Sequence, residues 1–239
     1  MSSATKISGG ARLGALVIGQ SPRPDVVREL REVLGEDIDI DLRGALDGLS
    51  REEMDQLNPC SDADALFTHL PDGDNVTISK RAVVKHGERT LQALVTEGFS
   101  TVVVMCTGAF PDWMGKYPVI FPSLVLEGFV RALMGQGGAS RAKLGVFVPL
   151  NEQIEPLGAR WRALGIEVHM ECLTPTSGPD AIDAAAGRMQ AVEPSLLVYD
   201  CLSYNQQTKR RVEARTGVPG VLAVSAAART AQELLSGQA

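Results

Sequence analysis

The sequence predicts an α/β protein of two Rossmann-like lobes with parallel sheets and an active site in the cleft between the lobes. Two observations lead to this prediction. Short apolar runs alternate with single amphipathic helices along almost the whole chain, which is typical of parallel sheets covered by helices. The second half of the chain also repeats the pattern of the first, so we expect the lobes to be related by pseudo-two-fold symmetry.

Strands and helices alternate one by one outside a single interruption. The strands are short apolar or alternating runs, predicted over residues 13–18, 38–42, 101–105, 144–148, 166–171, 196–199 and 218–224. The helices carry apolar residues at helical spacing, and they are predicted over residues 22–34, 80–97, 124–134, 151–164, 179–192, 205–216 and 226–235. Ligands bind beyond the carboxyl ends of the strands in such sheets, so we expect the functional residues there.

The segment from Gly44 to Ser79 interrupts the alternation. It contains the capping-box pattern Ser50-Arg51-Glu52-Glu53, which predicts a short helix. It also contains two extended runs over residues 65–79 around a Pro-Asp-Gly turn, which predict a β-hairpin or flap. We interpret the segment as an insertion beside the cleft that serves either as a lid or as an interface.

The two halves share a pattern that places one cysteine in each. Residues 13–17 resemble residues 144–148, and later in each half an apolar strand ends at a cysteine, Cys106 in the first and Cys201 in the second. The first half is longer by about the length of the insertion. Two packed copies of one α/β unit would bring both cysteines to a shared cleft, although any two α/β halves look alike at this level.

Length and charge exclude several classes of partner. The chain has 239 residues, a formal net charge of −6 and no long basic run, so nucleic acid is not expected as a partner. No apolar stretch is long enough to span a membrane, so no membrane partner is expected. Residues 1–10 have the polar composition of a flexible lead-in rather than of a secretory signal, which predicts a cytoplasmic protein.

The cysteine pattern does not indicate a metal site. The chain has four cysteines with no Cys-x-x-Cys pair, and only three histidines, so no metal is expected. In a reducing compartment the cysteines should be free thiols. Cys60 and Cys172 have the ordinary interpretation of small hydrophobic side chains.

Cys106 and Cys201 are the candidate catalytic residues. Each follows a strand and precedes small or polar residues and then a helix, an arrangement in which backbone N–H groups bind anions and lower a thiol pKa. One thiolate can remove a proton from an α-carbon while the other thiol delivers a proton from the opposite face, without PLP or a metal. We therefore expect no cofactor.

Four segments resemble those of AroM-family proteins. They are Ile18-Gly19-Gln20-Ser21-Pro22-Arg23-Pro24-Asp25, Leu46-Asp47-Gly48-Leu49-Ser50-Arg51-Glu52-Glu53, Val148-Pro149 with Gln153, and Asp200-Cys201-Leu202-Ser203-Tyr204. The resemblance covers nearly the whole chain. AroM-family proteins are similar in turn to the aspartate/glutamate racemase superfamily, which includes glutamate, aspartate and hydantoin racemases, maleate isomerase and arylmalonate decarboxylase.

The resemblance implies a cysteine from each lobe at the active site, and Cys106 and Cys201 match the two positions. Ser21 matches a substrate-binding serine, and Thr107 matches the polar residue that binds the substrate carboxylate. The resemblance also implies an N-terminal lobe of residues 11–110 plus 217–239, to which the last strand and helix return, and a C-terminal lobe of residues 111–216.

The chain departs from the racemases at both cysteines. Racemases usually carry Cys-Asn-Thr at the first site and often carry Cys-Thr-His at the second, where this chain has Cys106-Thr107-Gly108 and Cys201-Leu202-Ser203. The resemblance therefore does not extend to glutamate or aspartate as the substrate.

Several other residues near strand ends are candidates for substrate binding. Arg23 could clamp a carboxylate through two hydrogen bonds, or it could be a surface arginine at the start of a helix. Asn151 could bind an amide or amino group, or it could be a helix N-cap. Gly108, Leu202 and Ser203 complete the set of candidate binding residues.

Two further side chains have open interpretations. Asp200 could orient a group near Cys201 or cap the next helix. His69, on the predicted flap, could close over a ligand or simply lie at the surface.

We predict a cofactor-independent racemase or epimerase that uses two thiols on a small carboxylate or amino-acid-like substrate. One alternative is a related isomerase or decarboxylase that uses a single cysteine. A second alternative is a non-catalytic small-molecule sensor with the same cleft. The sequence identifies neither the substrate nor the oligomeric state, and a homodimer is compatible with it.

Overall fold

A computed structural model describes residues 11–135 and 142–237, so the expected lead-in at 1–10 lies outside the described residues. The strands are β1 (Arg12–Val17), β2 (Asp39–Gly44), β3 (Ala65–His69), β4 (Asn75–Ser79), β5 (Val102–Met105), β6 (Val119–Ile120), β7 (Lys143–Val148), β8 (Glu167–Cys172), β9 (Leu196–Tyr199) and β10 (Gly220–Leu222). The helices are α1 (Pro24–Leu34), α2 (Arg51–Asp55), α3 (Lys80–Thr96), α4 (Pro122–Met134), α5 (Ile154–Arg162), α6 (Pro179–Gln190), α7 (Gln206–Thr216) and α8 (Ala223–Leu235).

The protein has two parallel four-stranded sheets, as the sequence predicts. The strand orders are β2-β1-β5-β6 in the first sheet and β10-β9-β7-β8 in the second. Written in the reverse direction, the second order is β8-β7-β9-β10. Its strands β8, β7, β9 and β10 then correspond to β2, β1, β5 and β6 of the first sheet, so the two sheets have the same topology. This equivalence confirms the predicted two-lobed α/β fold.

The insertion between β2 and α3 contains the two predicted elements. Helix α2 begins with a complete capping box, in which the Ser50 hydroxyl accepts from the Glu53 N–H and the Glu53 carboxylate accepts from the Ser50 N–H. Strands β3 and β4 form the antiparallel hairpin. Buried Asp64 attaches the insertion to α3, because its carboxylate accepts hydrogen bonds from the Ser79 hydroxyl and the Arg81 N–H.

Residues 217–239 were expected to return to the N-terminal lobe, and this expectation was wrong for the last strand. Strand β10 pairs with β9 in the second sheet rather than joining the first lobe. Only α8 crosses back, where it packs against α1 and β1. Strand β6 was not predicted, and it pairs with β5 in the first sheet although residues 111–216 were expected in the C-terminal lobe.

One hydrophobic core spans both sheets. It includes Leu13 and Val103 of the first sheet and Val146 and Val198 of the second, all fully buried. Helix α8 closes this core with a buried face of small residues, namely Ala223, Ala226, Ala227, Ala228 and Ala231. Alanines allow close approach between packed elements, so α8 fits between α1 and α4.

Among the described residues, no helix is both long and apolar enough to cross a membrane.

Candidate active site

Cys106 and Cys201 lie immediately beyond the ends of equivalent strands. Cys106 follows β5 and Cys201 is separated from β9 only by Asp200. Both strands are interior in their sheets and fully buried, so the apolar runs that form them also fix the two turns in space. Both cysteines are free and half-buried.

The two cysteines line one cavity of about 210 Å³, with one cysteine from each lobe. The other lining residues come from the insertion, the start of α3, the turns after β5 and β9, and helix α5 with the residues before it; they are Asp62, Ala63, Ala65, Leu66, Phe67, Lys80, Thr107, Gly108, Ala109, Pro149, Gln153, Pro156, Leu157, Arg160 and Asp200. The wall is therefore largely apolar, with a small number of charged and amide groups. This composition is typical of small-molecule sites.

Burial dominates the ionisation of both thiols. It raises the pKa of Cys106 to about 12, although the Gly108 N–H donates a hydrogen bond to Sγ at 3.3 Å and opposes this effect. Burial also raises the pKa of Cys201, against the hydrogen bonds of Ser203. The thiol pKa values are therefore raised rather than lowered as expected, because burial outweighs the N–H groups of Gly108 and Ser203. No helix begins directly at either cysteine, since the next helices begin at Pro122 and Gln206.

The turns that carry the cysteines are joined by hydrogen bonds between the lobes. The Thr107 hydroxyl donates to the Asp200 carbonyl oxygen at 3.1 Å. Arg160 donates to the Thr107 carbonyl oxygen at 3.0 Å and to the Asp200 carboxylate at 2.6 Å. The same carboxylate oxygen of Asp200, a residue that is 1% exposed, accepts from the Trp161 indole N–H at 2.8 Å. Asp200 does not cap the next helix, whose N-cap is Asn205.

Two of the predicted binding residues lie in a different groove. Ser21 and Arg23 line a groove of about 920 Å³ between α1 and β2. The Ser21 hydroxyl donates to the Asp47 carboxylate at 2.7 Å, and Arg23 forms an ion pair with Asp25 at 2.6 Å. Arg23 still affects the thiols, because its positive charge lowers the pKa of Cys201 against the larger effect of burial.

The other predicted binding residues are divided between two places. Thr107 and Gly108 line the cysteine cavity. Leu202 and Ser203 line a neighbouring cavity of about 380 Å³, which shares Phe67 with the first. Asn151 is exposed in the single turn before α5, where its side chain is neither a helix N-cap nor part of the lining of the cysteine cavity.

Three charged residues of the cavity wall, Asp62, Lys80 and Arg160, were not predicted from the sequence, and the amide of Gln153 was noted only as part of a family motif. Arg160 lies in the middle of the α5 sequence, where nothing local distinguishes it from a surface arginine. Lys80 is the first residue of α3 and directly follows the insertion. This position beside the predicted flap was the one sequence feature that pointed to Lys80 as a residue of the cavity. Among the described residues, no group of three or more His, Cys, Asp or Glu could hold a metal ion.

The family is decided by a match over most of the chain. The sequence matches the family model described as AroM protein over residues 13–235. The chain belongs to the AroM family. A comparison of this AroM-family chain with curated proteins finds no match.

Solved structures with the same fold as the AroM-family chain include several enzymes. Unliganded arylmalonate decarboxylase is 17% identical with a TM-score of 0.60, over 96% of this chain and 94% of that one. Allantoin racemase from Pseudomonas fluorescens is 14% identical with a TM-score of 0.61, over 95% and 92%. Maleate isomerase from Pseudomonas putida is 14% identical with a TM-score of 0.61, over 95% and 93%. At these identities the likeness establishes the two-lobed fold.

Proposed function

We propose that the protein is a racemase or epimerase that moves a proton between the two faces of an α-carbon, using the thiols of Cys106 and Cys201. The observation that carries the proposal is that one cysteine from each lobe lines the same cavity of about 210 Å³. A cavity of this size suits a compact molecule, and we propose a small carboxylate or amino-acid-like substrate. A carboxylate next to the α-carbon would make its proton more acidic.

The proposed reaction is balanced within the cavity. One cysteine thiolate takes the α-proton and becomes a thiol, and the electron pair of the broken C–H bond spreads into the substrate carboxylate. The other cysteine thiol then gives its proton to the opposite face of the same carbon and becomes a thiolate. The second cysteine ends as the thiolate that the reverse reaction requires, and no cofactor takes part.

The charged residues of the cavity wall support this chemistry. A thiol whose pKa is raised to about 12, as for Cys106, yields a strong base once it is ionised. Ionisation in a buried site requires compensating positive charge. Arg160 and Lys80 supply two positive charges in the cavity wall, where Asp62 and Asp200 also lie and Arg160 is paired with Asp200. The Arg160 guanidinium lowers the pKa of Cys106, against the larger effect of burial.

The structural neighbours support an enzyme of this class. A racemase, an isomerase and a decarboxylase share the two-lobed fold over more than nine-tenths of this chain. A decarboxylase that uses only one thiol is the second candidate, because arylmalonate decarboxylase is among these neighbours. The experiment below separates the two candidates.

Substitution of each cysteine tests the proposal. A thermal-shift screen with amino acids, hydantoins and dicarboxylates would first identify a ligand, which is then incubated as each enantiomer in deuterium oxide. We expect Cys106→Ser and Cys201→Ser each to abolish racemisation, because each thiol serves one face of the carbon. Exchange of the α-proton for deuterium should survive in each variant with one enantiomer only, as measured by NMR and chiral chromatography.

The matched control is Cys60→Ser, because Cys60 is exposed and lies outside the cavity lining. This variant should racemise the ligand at the rate of the unmodified protein. Full racemisation by either cavity variant would refute the two-thiol mechanism. Decarboxylation that depends on only one of the two cysteines would favour the second candidate, and binding without exchange by the unmodified protein would indicate a sensor.

A further inference from the structure

Arg160 contacts both of the turns that carry the cysteines. One guanidinium nitrogen, Nη1, donates to the carbonyl oxygen of Thr107, the residue after Cys106. The other, Nη2, donates to the carboxylate of Asp200, the residue before Cys201. The Thr107 hydroxyl completes a closed ring of contacts by donating to the Asp200 carbonyl oxygen.

We propose that Arg160 and Asp200 are positioning residues that hold the two cysteine turns in register and balance the charge beside the thiols. We refer to Arg160, Asp200 and Thr107 together as the clasp. The clasp rests on the proposed two-thiol function for its purpose, because two thiols that act on one carbon must keep a fixed separation. Its existence as a charge-balancing device can be tested without any substrate.

The geometry requires an arginine. Two acceptors from different lobes are reached by two nitrogens of one planar guanidinium, which a lysine ammonium on a flexible stem does not reproduce. The Trp161 indole N–H holds the Asp200 carboxylate from a further direction, at 2.8 Å. The Arg160 guanidinium also lies 4.9 Å from the Trp161 ring centre. Trp161 therefore supports both charged members of the clasp.

The two charges of the clasp act on the thiols in opposite directions. Asp200 raises the pKa of Cys106 and Arg160 lowers it, in each case beside the larger effect of burial. Asp200 also raises the pKa of Cys201. The charged or titratable groups that face the two thiols or the clasp are Arg23, Asp62, Lys80, Glu127, Arg160, Asp200, Tyr204 and the other cysteine.

Removal of either charge should therefore shift thiol reactivity in opposite directions. The experiment measures the pH dependence of iodoacetamide alkylation at Cys106 and Cys201 separately, by peptide mass spectrometry. Arg160→Met leaves Asp200 uncompensated, and we expect alkylation of Cys106 to be slower by about tenfold at a given pH, which is one pKa unit. Asp200→Asn leaves Arg160 uncompensated, and we expect alkylation of both thiols to be faster by a similar factor.

A purely structural role predicts a different result. In Arg160→Met we expect the lost positive charge to outweigh any opening of the cavity at Cys106. If the clasp only held the turns together, both variants would open the cavity, hydrate the thiols and speed up alkylation. Faster alkylation of Cys106 in Arg160→Met, or an unchanged rate in either variant, would overturn the proposal. Arg162→Met is the matched control, because Arg162 is an exposed arginine of the same helix. In this variant, alkylation of Cys106 and Cys201 should follow the same pH dependence as in the unmodified protein.

A conservative variant keeps the test decisive if Arg160→Met does not fold. Arg160→Lys retains the positive charge but not the two-pronged contact, so alkylation of Cys106 should stay within about threefold of the unmodified protein, well inside one pKa unit. Slowing by tenfold in this variant would overturn the charge-balancing role. These readouts involve no turnover, so they can fail while the cysteine substitutions still support racemisation, and the reverse also holds.

Discussion

The buried ion pair is the residue-scale feature that distinguishes this site. Asp200 is 1% exposed and has its carboxylate 2.6 Å from Arg160. A buried carboxylate is costly to desolvate, and it is tolerated here because it accepts hydrogen bonds from Arg160 and Trp161. The same burial keeps the nearby thiols protonated, so both the acid-base chemistry and the stability of the site depend on its low hydration.

The raised pKa of Cys106 predicts a loss of stability at alkaline pH. The ordinary thiol pKa is 9.0 and the folded-state pKa is about 12, so the folded protein keeps a proton that the unfolded chain loses. The stabilisation is fully present below pH 9 and is lost as pH rises from 9 to 12. Urea titrations should show the unfolding free energy falling more steeply than in Cys106→Ser, by up to about 1.4 kcal/mol per pH unit.

The control for this effect is Cys60→Ser, because Cys60 is exposed. Its unfolding free energy should follow that of the unmodified protein at every pH. Cys201 is present in all three proteins, so its own alkaline titration is common to the three curves apart from its charge interaction with Cys106. Parallel curves for Cys106→Ser and the unmodified protein would show that the Cys106 thiol is not held protonated in the folded state.

At the scale of elements, the internal repeat places a glycine at the same position of two equivalent strands. Gly14 of β1 pairs with Val102 of β5, and Gly145 of β7 pairs with Leu197 of β9. A Cβ atom at Gly145 would lie 2.5 Å from the Met189 sulfur and 2.8 Å from a Leu197 methyl carbon. At Gly14 the nearest atom would be a Val102 methyl carbon at 3.2 Å.

Alanine substitutions at the two glycines should therefore differ in their effect. Gly145→Ala is expected to lower the unfolding free energy by about 1–3 kcal/mol, because the added methyl overfills the core between β7 and α6. Gly14→Ala should lower the unfolding free energy by less, since the contact is looser. Alanine also reduces the conformational entropy of the unfolded chain, which raises the unfolding free energy by about 0.4–1 kcal/mol. Urea denaturation measures both variants, and equal losses would contradict the different packing of the two repeats.

At the scale of the whole molecule, the lobes share a core and should not unfold separately. The main hydrophobic cluster contains residues of both sheets together with the buried face of α8. Helix α8 follows a strand of the second sheet yet packs on α1 and β1 of the first lobe. A chain that crosses between lobes in this way couples their stabilities.

The two tryptophans allow the coupling to be measured. Trp113 and Trp161 are fully buried and are the only tryptophans, with Trp113 among first-lobe residues and Trp161 on α5 of the second lobe. Single-tryptophan variants, Trp113→Phe and Trp161→Phe, each report on one lobe by fluorescence. In each variant the fluorescence and circular dichroism midpoints in urea should coincide. Separate midpoints would show that the lobes unfold independently.

The local elements and the cysteine positions followed from the sequence because their signals are local. The capping box at Ser50, the hairpin after it and the apolar strands before Cys106 and Cys201 are encoded by neighbouring residues. The internal repeat predicted that the two cysteines would reach a shared cleft, and both line one cavity. Strand β6 could not be predicted, because it consists of only Val119 and Ile120, and two residues are too few to show a periodic hydrophobic pattern.

Contacts between distant residues decided the rest. The Ser21 hydroxyl donates a hydrogen bond to Asp47, which is 26 positions away in the sequence. Ser21 therefore lines a groove outside the cysteine cavity. Arg160 contacts Thr107 across 53 positions and Asp200 across 40, so no sequence window contains the clasp. Strand propensity also does not specify which sheet a strand joins, and β10 was placed by pairing with β9. Local patterns encode strands and turns, whereas the charges that surround a thiol depend on how the lobes pack.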